Sequence, residues 1–166
     1  MSRTAYTVFI SHAGQDIDVA RLLSGNLEAV GVKYVLDAHH IDGGADFCDW
    51  MCEQVGSCQE LLLLLSPAAL DSPNVVFELG VATAHGLWIT PILYRMDVKQ
   101  LKRTKLGQSI LARTSVLTLE RFDEYKTQLK SRMGDFDSQS ETRDDSRALS
   151  EISKILARAR LQRPQS

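Results

Sequence analysis

Cysteine is scarce in this sequence: there are three, Cys48, Cys52 and Cys58, close together and odd in number. That is no disulfide framework, and it reads as reduced and intracellular. Charge of one sign is also lacking. The formal net charge is −2, which gives no global basic field to draw nucleic acid or anionic lipid. Long hydrophobic runs are absent. The longest, Leu61 to Leu65, is far too short to span a bilayer. Met1-Ser2-Arg3-Thr4-Ala5 carries no signal-peptide pattern. The expectation is a cytoplasmic protein with neither a membrane nor a nucleic-acid partner.

What is present suits a globular enzyme or binding domain. The chain has 166 residues, 44% hydrophobic and 24% charged, near globular averages. A chain of this size buries roughly 70% of its unfolded surface. Residues 6–10 (YTVFI) read as a strand, being β-branched and aromatic. Ser11 to Asp16 reads as a loop. A helix follows over 16–30, with Val19, Leu22, Leu23, Leu27 and Val30 at helical spacing and Gly31 as its C-cap. Residues 33–36 (KYVL) are a second strand. Residues 37–46 are a loop with a Gly43-Gly44 pair.

Residues 47–57 read as a helix, and 60–65 as a strand buried on both faces. Ser66-Pro67 opens a loop or short helix. Pro73 starts the next helix, which runs to about His85 and ends at Gly86. Residues 88–93 (WITPIL) are a fourth strand, although Pro91 is a mild objection to a central place. Residues 115–119 are a weaker fifth strand, and 122–133 the last helix of the domain. Alternating strands and helices imply an α/β fold: a flavodoxin-like open five-stranded parallel sheet, order 2-1-3-4-5, with helices on both faces. Ligands bind such sheets in the crevice at the carboxyl ends of the strands.

Residues 1–133 thus form one domain, and 134–145 (GDFDSQSETRDD) a polar linker. Residues 146–166 form a C-terminal amphipathic helix and tail, with Leu149, Ile152, Ile155, Leu156 and Ala159 on one face. That helix either packs back on the domain or serves as a contact for self-assembly.

Val8-Phe9-Ile10-Ser11-His12-Ala13, then Leu36-Asp37 with Ile41-Asp42-Gly43-Gly44 and Phe47, then Leu61 to Pro67 (LLLLLSP), Ser72 to Ala82 (SPNVVFELGVA) and WITPIL occur in series. The series resembles the Toll/interleukin receptor (TIR) domain family of the bacterial type over about residues 5–120. That resemblance implies either of two activities. Some TIR domains are NAD glycohydrolases or cyclases, many of them bacterial or plant defence proteins; others only assemble with further TIR domains. The catalytic members carry a glutamate at the position of Glu78. Under this resemblance NAD is a substrate, and no cofactor or metal is implied. Self-assembly with other TIR domains is expected, and a separate effector or sensor protein is an expected partner. A nucleoside deoxyribosyltransferase-like enzyme is the third reading. It is also flavodoxin-like, also uses a glutamate and also attacks an N-glycosidic bond. The Phe-Ile-Ser start and the Ser-Pro after the third strand favour TIR.

One carboxylate suffices for the chemistry. Nicotinamide in NAD is a cationic pyridinium and leaves as a neutral molecule, so no general acid is required. The enzyme must stabilise positive charge developing on the ribose, as in glycoside hydrolysis without the protonation step. Glu78 sits in Val75-Val76-Phe77-Glu78-Leu79-Gly80-Val81-Ala82, an apolar helix, which favours a cleft over a wet face. It could stabilise charge, hold ribose hydroxyls or form a covalent bond. Substrate-binding expectations fall on Ser11 and His12 at the end of the first strand, on Phe9 there as either a crevice or a plain core residue, and on Ser66. The resemblance adds Asp37, Asp42 and Gly44 in the loop that closes over the nicotinamide end. It also adds Phe47, a stacking aromatic or the first core residue of its helix. Several NAD-cleaving relatives have a tryptophan one turn before the glutamate; here Asn74 offers an amide instead. His39 and His40 with Cys48 and Cys52 do not match a recognised zinc spacing, and buried cysteines are the ordinary explanation. Arg95, Lys99, Lys102, Arg103 and Lys105 form a basic run, either a solvated face or a contact for phosphates.

Overall fold

Glu60–Leu65 forms β3, and all six of its residues are buried. A strand buried on both sides sits at the centre of a parallel sheet, and β3 does. The computed structural model describes residues 5–36 and 47–137. Its sheet has the order β2-β1-β3-β4-β5, with β1 at Thr7–Ser11, β2 at Lys33–Leu36, β4 at Trp88–Leu93 and β5 at Leu117–Thr118. Every pairing is parallel. The expected architecture is therefore the observed one.

Two compact units are distinguished, Met1–Thr127 and Gln128–Ser166. In the first, the helices are α1 (Ile17–Ala29), α2 (Phe47–Gly56), α3 (Pro67–Leu70), α4 (Pro73–Ala84), α5 (Val98–Leu101) and α6 (Lys105–Leu111), and residues 122–127 are also helical. In the second, residues 128–137 are helical. Helix thus replaces the first part of the expected linker, residues 134–137. The expected helix over 146–160 lies outside the described residues.

Strand pleating sorts the core into two faces. Phe9, Leu61, Leu63 and Leu65 join one apolar cluster with Met51 and Val55 of α2 and Val75 and Ala82 of α4. Val8, Ile10, Leu62 and Leu64 are equally buried and alternate with them, so they face the other way. Right-handed crossovers put α1 on that second face. Its buried Ala20, Leu23 and Leu27 stand outside the α2–α4 cluster.

Helix ends follow local chemistry. Gly31 has φ +81 and follows α1, with the Val32 amide reaching back to the Leu27 carbonyl at 3.1 Å. Gly86 has φ +69 and ends α4 the same way, with Leu87 N donating to Ala82 O at 3.0 Å. Only glycine enters this left-handed region without steric cost.

Two expectations shift. Strand β1 ends at Ser11, one residue later than the composition suggests, because Ser11 still pairs with Leu63 of β3. Pro91 does lie in β4, between β3 and β5. The Trp88 and Tyr94 amides donate to Gln59 and Leu65 on the β3 side. Alternation turns the Pro91 nitrogen to the other side, where β5 pairs only with Ile92 and Leu93. No ladder bond is lost there.

Candidate functional site

The first connection leaves β1 toward one face of the sheet, and the connection after β3 leaves toward the other. In open parallel sheets such a divergence marks where a ligand crevice forms, at the carboxyl ends of the neighbouring strands. The buried polar side chains of the region gather there.

Helix α4 begins cleanly. Ser72 caps it by accepting from Val75 N at 3.4 Å, and Pro73 takes the first turn. Its buried residues are Val75, Glu78 and Ala82. These recur at three and four positions, so they form one stripe against the sheet. Glu78 occupies a core position of that stripe and is 0% exposed. A solvated helix glutamate is excluded. On the sheet side Ser11 shares the α4 face with Phe9, and its hydroxyl donates to Glu78 Oε2.

A second serine–carboxylate pair lies on the other face. Ser66 follows Leu64 in the alternation, and its hydroxyl donates to Asp16 Oδ2 at 2.5 Å. The same oxygen accepts from Ala69 N at 3.1 Å and so caps α3. Asp16 is 6% exposed and closes the 3-10 turn Gly14–Asp16. Its amide donates to Ala13 O at 2.9 Å. His12, also buried, places Nδ1 at 2.8 Å from that same carbonyl. A carbonyl only accepts, so Nδ1 carries the hydrogen. In the neutral ring Nε2 then holds the lone pair.

The structure brings Ser11, His12, Ser66 and Glu78 to one end of the sheet, with Asn74 one helical turn before Glu78 and half-buried. Phe9 is fully buried in the apolar cluster, one pleat below Ser11. Phe47 is the first residue of α2; its side chain, like Asp37, Asp42 and Gly44, lies outside the described residues. Asp16 was missed by sequence reasoning. It looked like an ordinary acidic helix start, and its burial depends on Ser66, fifty positions away in the chain.

Arg95 begins the expected basic run. It follows β4 with φ 56, and its guanidinium lies 5.2 Å from the Tyr94 ring centroid. Arg95, Lys99, Lys102, Arg103 and Lys105 are all exposed. His39 and His40 lie outside the described residues. Cys48 is exposed and Cys52 half-buried. Among the described residues no group of His, Cys, Asp and Glu is placed to hold a metal. Among them, too, no helix is long and apolar enough to cross a membrane.

Comparison with known proteins identifies the fold independently. The structure is similar to the TIR domain of the Toll-related receptor TRR-2 from Hydra magnipapillata. That match has TM-score 0.58 and 19% identity, covering 77% of this chain and 95% of that one. It is also similar to the TIR domains of the activated Roq1 resistosome, which directly recognises the pathogen effector XopQ. Here the TM-score is 0.52 and identity 20%, covering 63% and 68% of the two chains. A search of curated proteins finds no match. The family model described as TIR domain matches residues 8–130, well over half of the sequence, and on this match the chain belongs to the TIR domain family.

Proposed function

We propose that this protein cleaves the N-glycosidic bond between nicotinamide and ribose in NAD, with Glu78 as the catalytic carboxylate. The supporting observation is a fully buried glutamate, held by the Ser11 hydroxyl, at the carboxyl ends of β1 and β3. The C1′–N bond breaks and its electron pair goes to the pyridinium nitrogen, so nicotinamide leaves neutral. Positive charge develops on the ribose ring. A carboxylate about 4 Å from that charge gains about 4 kcal/mol at an effective dielectric near 20. Because the charge appears only in the transition state, this is worth roughly 10³-fold in rate. A fixed, water-excluded carboxylate needs no reorganisation as the charge appears. Water then adds to C1′ and releases a proton, giving ADP-ribose. Capture by the adenine of the same molecule gives a cyclic isomer instead.

Ser11 orients the carboxylate, His12 and Asn74 supply polar groups for ribose and the rest of the substrate, and Ser66, its hydroxyl engaged by Asp16 and Ala69 N, lines the wall of the crevice. Asp37, Asp42, Gly44 and Phe47 are assigned to the nicotinamide end. The biological reading is defence, antiphage or innate-immune, through NAD depletion or an ADP-ribose-type signal, in the cytoplasm. Self-assembly would accompany it, with a separate sensor or effector as partner.

The second reading is a TIR assembly module without catalysis. Leu22, Val76 and Trp88 are large apolar side chains exposed at separate places on the surface, open to such contacts. Incubation of concentrated protein with NAD separates the two, with nicotinamide release followed for wild type and Glu78→Ala. Release by wild type alone is expected. No release from assembled wild type removes the enzyme reading; equal release removes Glu78. Deoxynucleosides tested in parallel address the deoxyribosyltransferase reading.

A further inference from the structure

The Asp16–Ser66 pair has no part in the chemistry above, yet it spans the same crevice. Asp16 belongs to the connection after β1 and Ser66 to the connection after β3. Their hydrogen bond ties together the two segments whose divergence forms the site. Both residues are nine-tenths or more buried. A carboxylate there is stable only because it is paired. The serine hydroxyl has little rotational choice. One lone pair is held by Ala69 N at 3.1 Å, which leaves its hydrogen for Asp16.

The tie continues inward. Asp16 N and His12 Nδ1 both donate to the Ala13 carbonyl, at 2.9 and 2.8 Å. Fixing Asp16 fixes the 3-10 turn, and the turn fixes the His12 ring and its tautomer. Ser11, the residue before His12, holds Glu78.

We infer that Asp16 is a positioning residue: with Ser66 it sets the end of β1, and so the His12 ring and the Ser11–Glu78 pair. This rests on the NAD-cleaving reading of that site. It differs from a plain stability role, which would lower the melting temperature and leave the kinetics of folded protein alone.

The test uses the full chain with Asp16→Ala, Asp16→Asn, Ser66→Ala and the Asp16→Ala/Ser66→Ala double variant. Readouts are kcat and KM for nicotinamide release from NAD, together with the ¹H–¹⁵N amide spectrum. Misplacing a site by about 1 Å costs on the order of 10²-fold. Asp16→Ala should therefore lower kcat by about 10- to 100-fold, with KM changed less than about threefold. Asp16→Asn keeps an oxygen acceptor for Ser66 and should restore most of kcat. The double variant should be no worse than Asp16→Ala, because the pair acts as a unit.

Wild-type kcat and KM in folded Asp16→Ala would overturn the inference, as would losses that multiply in the double variant. If Asp16→Ala does not fold, Ser66→Ala carries the same expectation and the same overturning result. Silent wild type would be a failure of the catalytic reading instead. The amide spectrum then decides: Ser11, His12 and Ala13 resonances that move in Asp16→Ala and stay in Asp16→Asn support the tie. Resonances unmoved in Asp16→Ala refute it.

Discussion

The Ser11 hydroxyl, on the last residue of β1, donates to the Glu78 carboxylate in the middle of α4, 67 positions later in the chain. Ser11→Ala removes that donor inside the protein. Lost hydrogen bonds to buried charged groups cost about 1–3 kcal/mol, so the melting temperature should fall and kcat should drop. Thermal melts and nicotinamide release measure the two together. Unchanged kcat would mean that Glu78 orients itself without Ser11.

Glu78→Gln keeps the shape of the side chain and removes its charge. Rate should fall by roughly 10³-fold, the factor expected for electrostatic stabilisation of the ribose cation. Steady-state kinetics on concentrated protein provide the check. A loss below tenfold would point to hydrogen bonding by Glu78 rather than charge.

Glu60 supplies a control at the other end of the sheet. It is also fully buried, and it accepts from Tyr6 Oη at 2.9 Å and Thr90 Oγ1 at 3.0 Å. Tyr6→Phe should cost about 1–3 kcal/mol in stability by taking a donor from a buried carboxylate. Nicotinamide release by the folded variant should match wild type. Denaturant unfolding and the NAD assay separate the two, and a kcat loss would show that this end of the sheet reaches the site.

Gly107 sits where α6 meets the chain after α5. A Cβ built there would lie 2.1 Å from the Leu101 carbonyl oxygen and 2.7 Å from Thr104 Oγ1. Backbone cannot yield cheaply, so Gly107→Ala should destabilise by about 1–3 kcal/mol or more. A melting temperature equal to wild type would contradict this packing.

Burial raises the Cys58 thiol to about 11, against an ordinary value of 9.0. A raised pKa on an acid favours its neutral form in the folded state. The resulting stability is fully present below about pH 9 and is lost as pH rises toward 11. Denaturant midpoints across this window should fall for wild type and fall less for Cys58→Ala. Exposed Cys48 should react with thiol reagents well before Cys58 at neutral pH.

Much of the fold was readable from local pattern. Strands at 33–36, 60–65 and 88–93 match residue for residue, because runs such as LLLLLSP carry their own punctuation. The helices Val98–Leu101 and Lys105–Leu111 were missed, being too short for periodicity to register. Their caps were nonetheless written in the chain. Asp97 and Gln100 make a reciprocal capping box, and Thr104 accepts from Gly107 N. For the candidate site, the burial of Glu78 was legible from its apolar neighbours. Asp16 was not, since no local pattern tells a buried helix-start acid from a wet one. Its environment comes from Ser66, across a strand boundary.

The two-residue strand β5, beside a β4 whose Pro91 offers no donor on that side, has a consequence for how molecules meet. An open sheet margin is a template on which another chain can add a strand, and long flat margins invite aggregation. Here that margin is two residues long and next to a proline. A concentrated solution of this protein is thereby protected, on this side, from growth by strand addition. Copies that gather along this edge must do so through side chains rather than by extending the sheet.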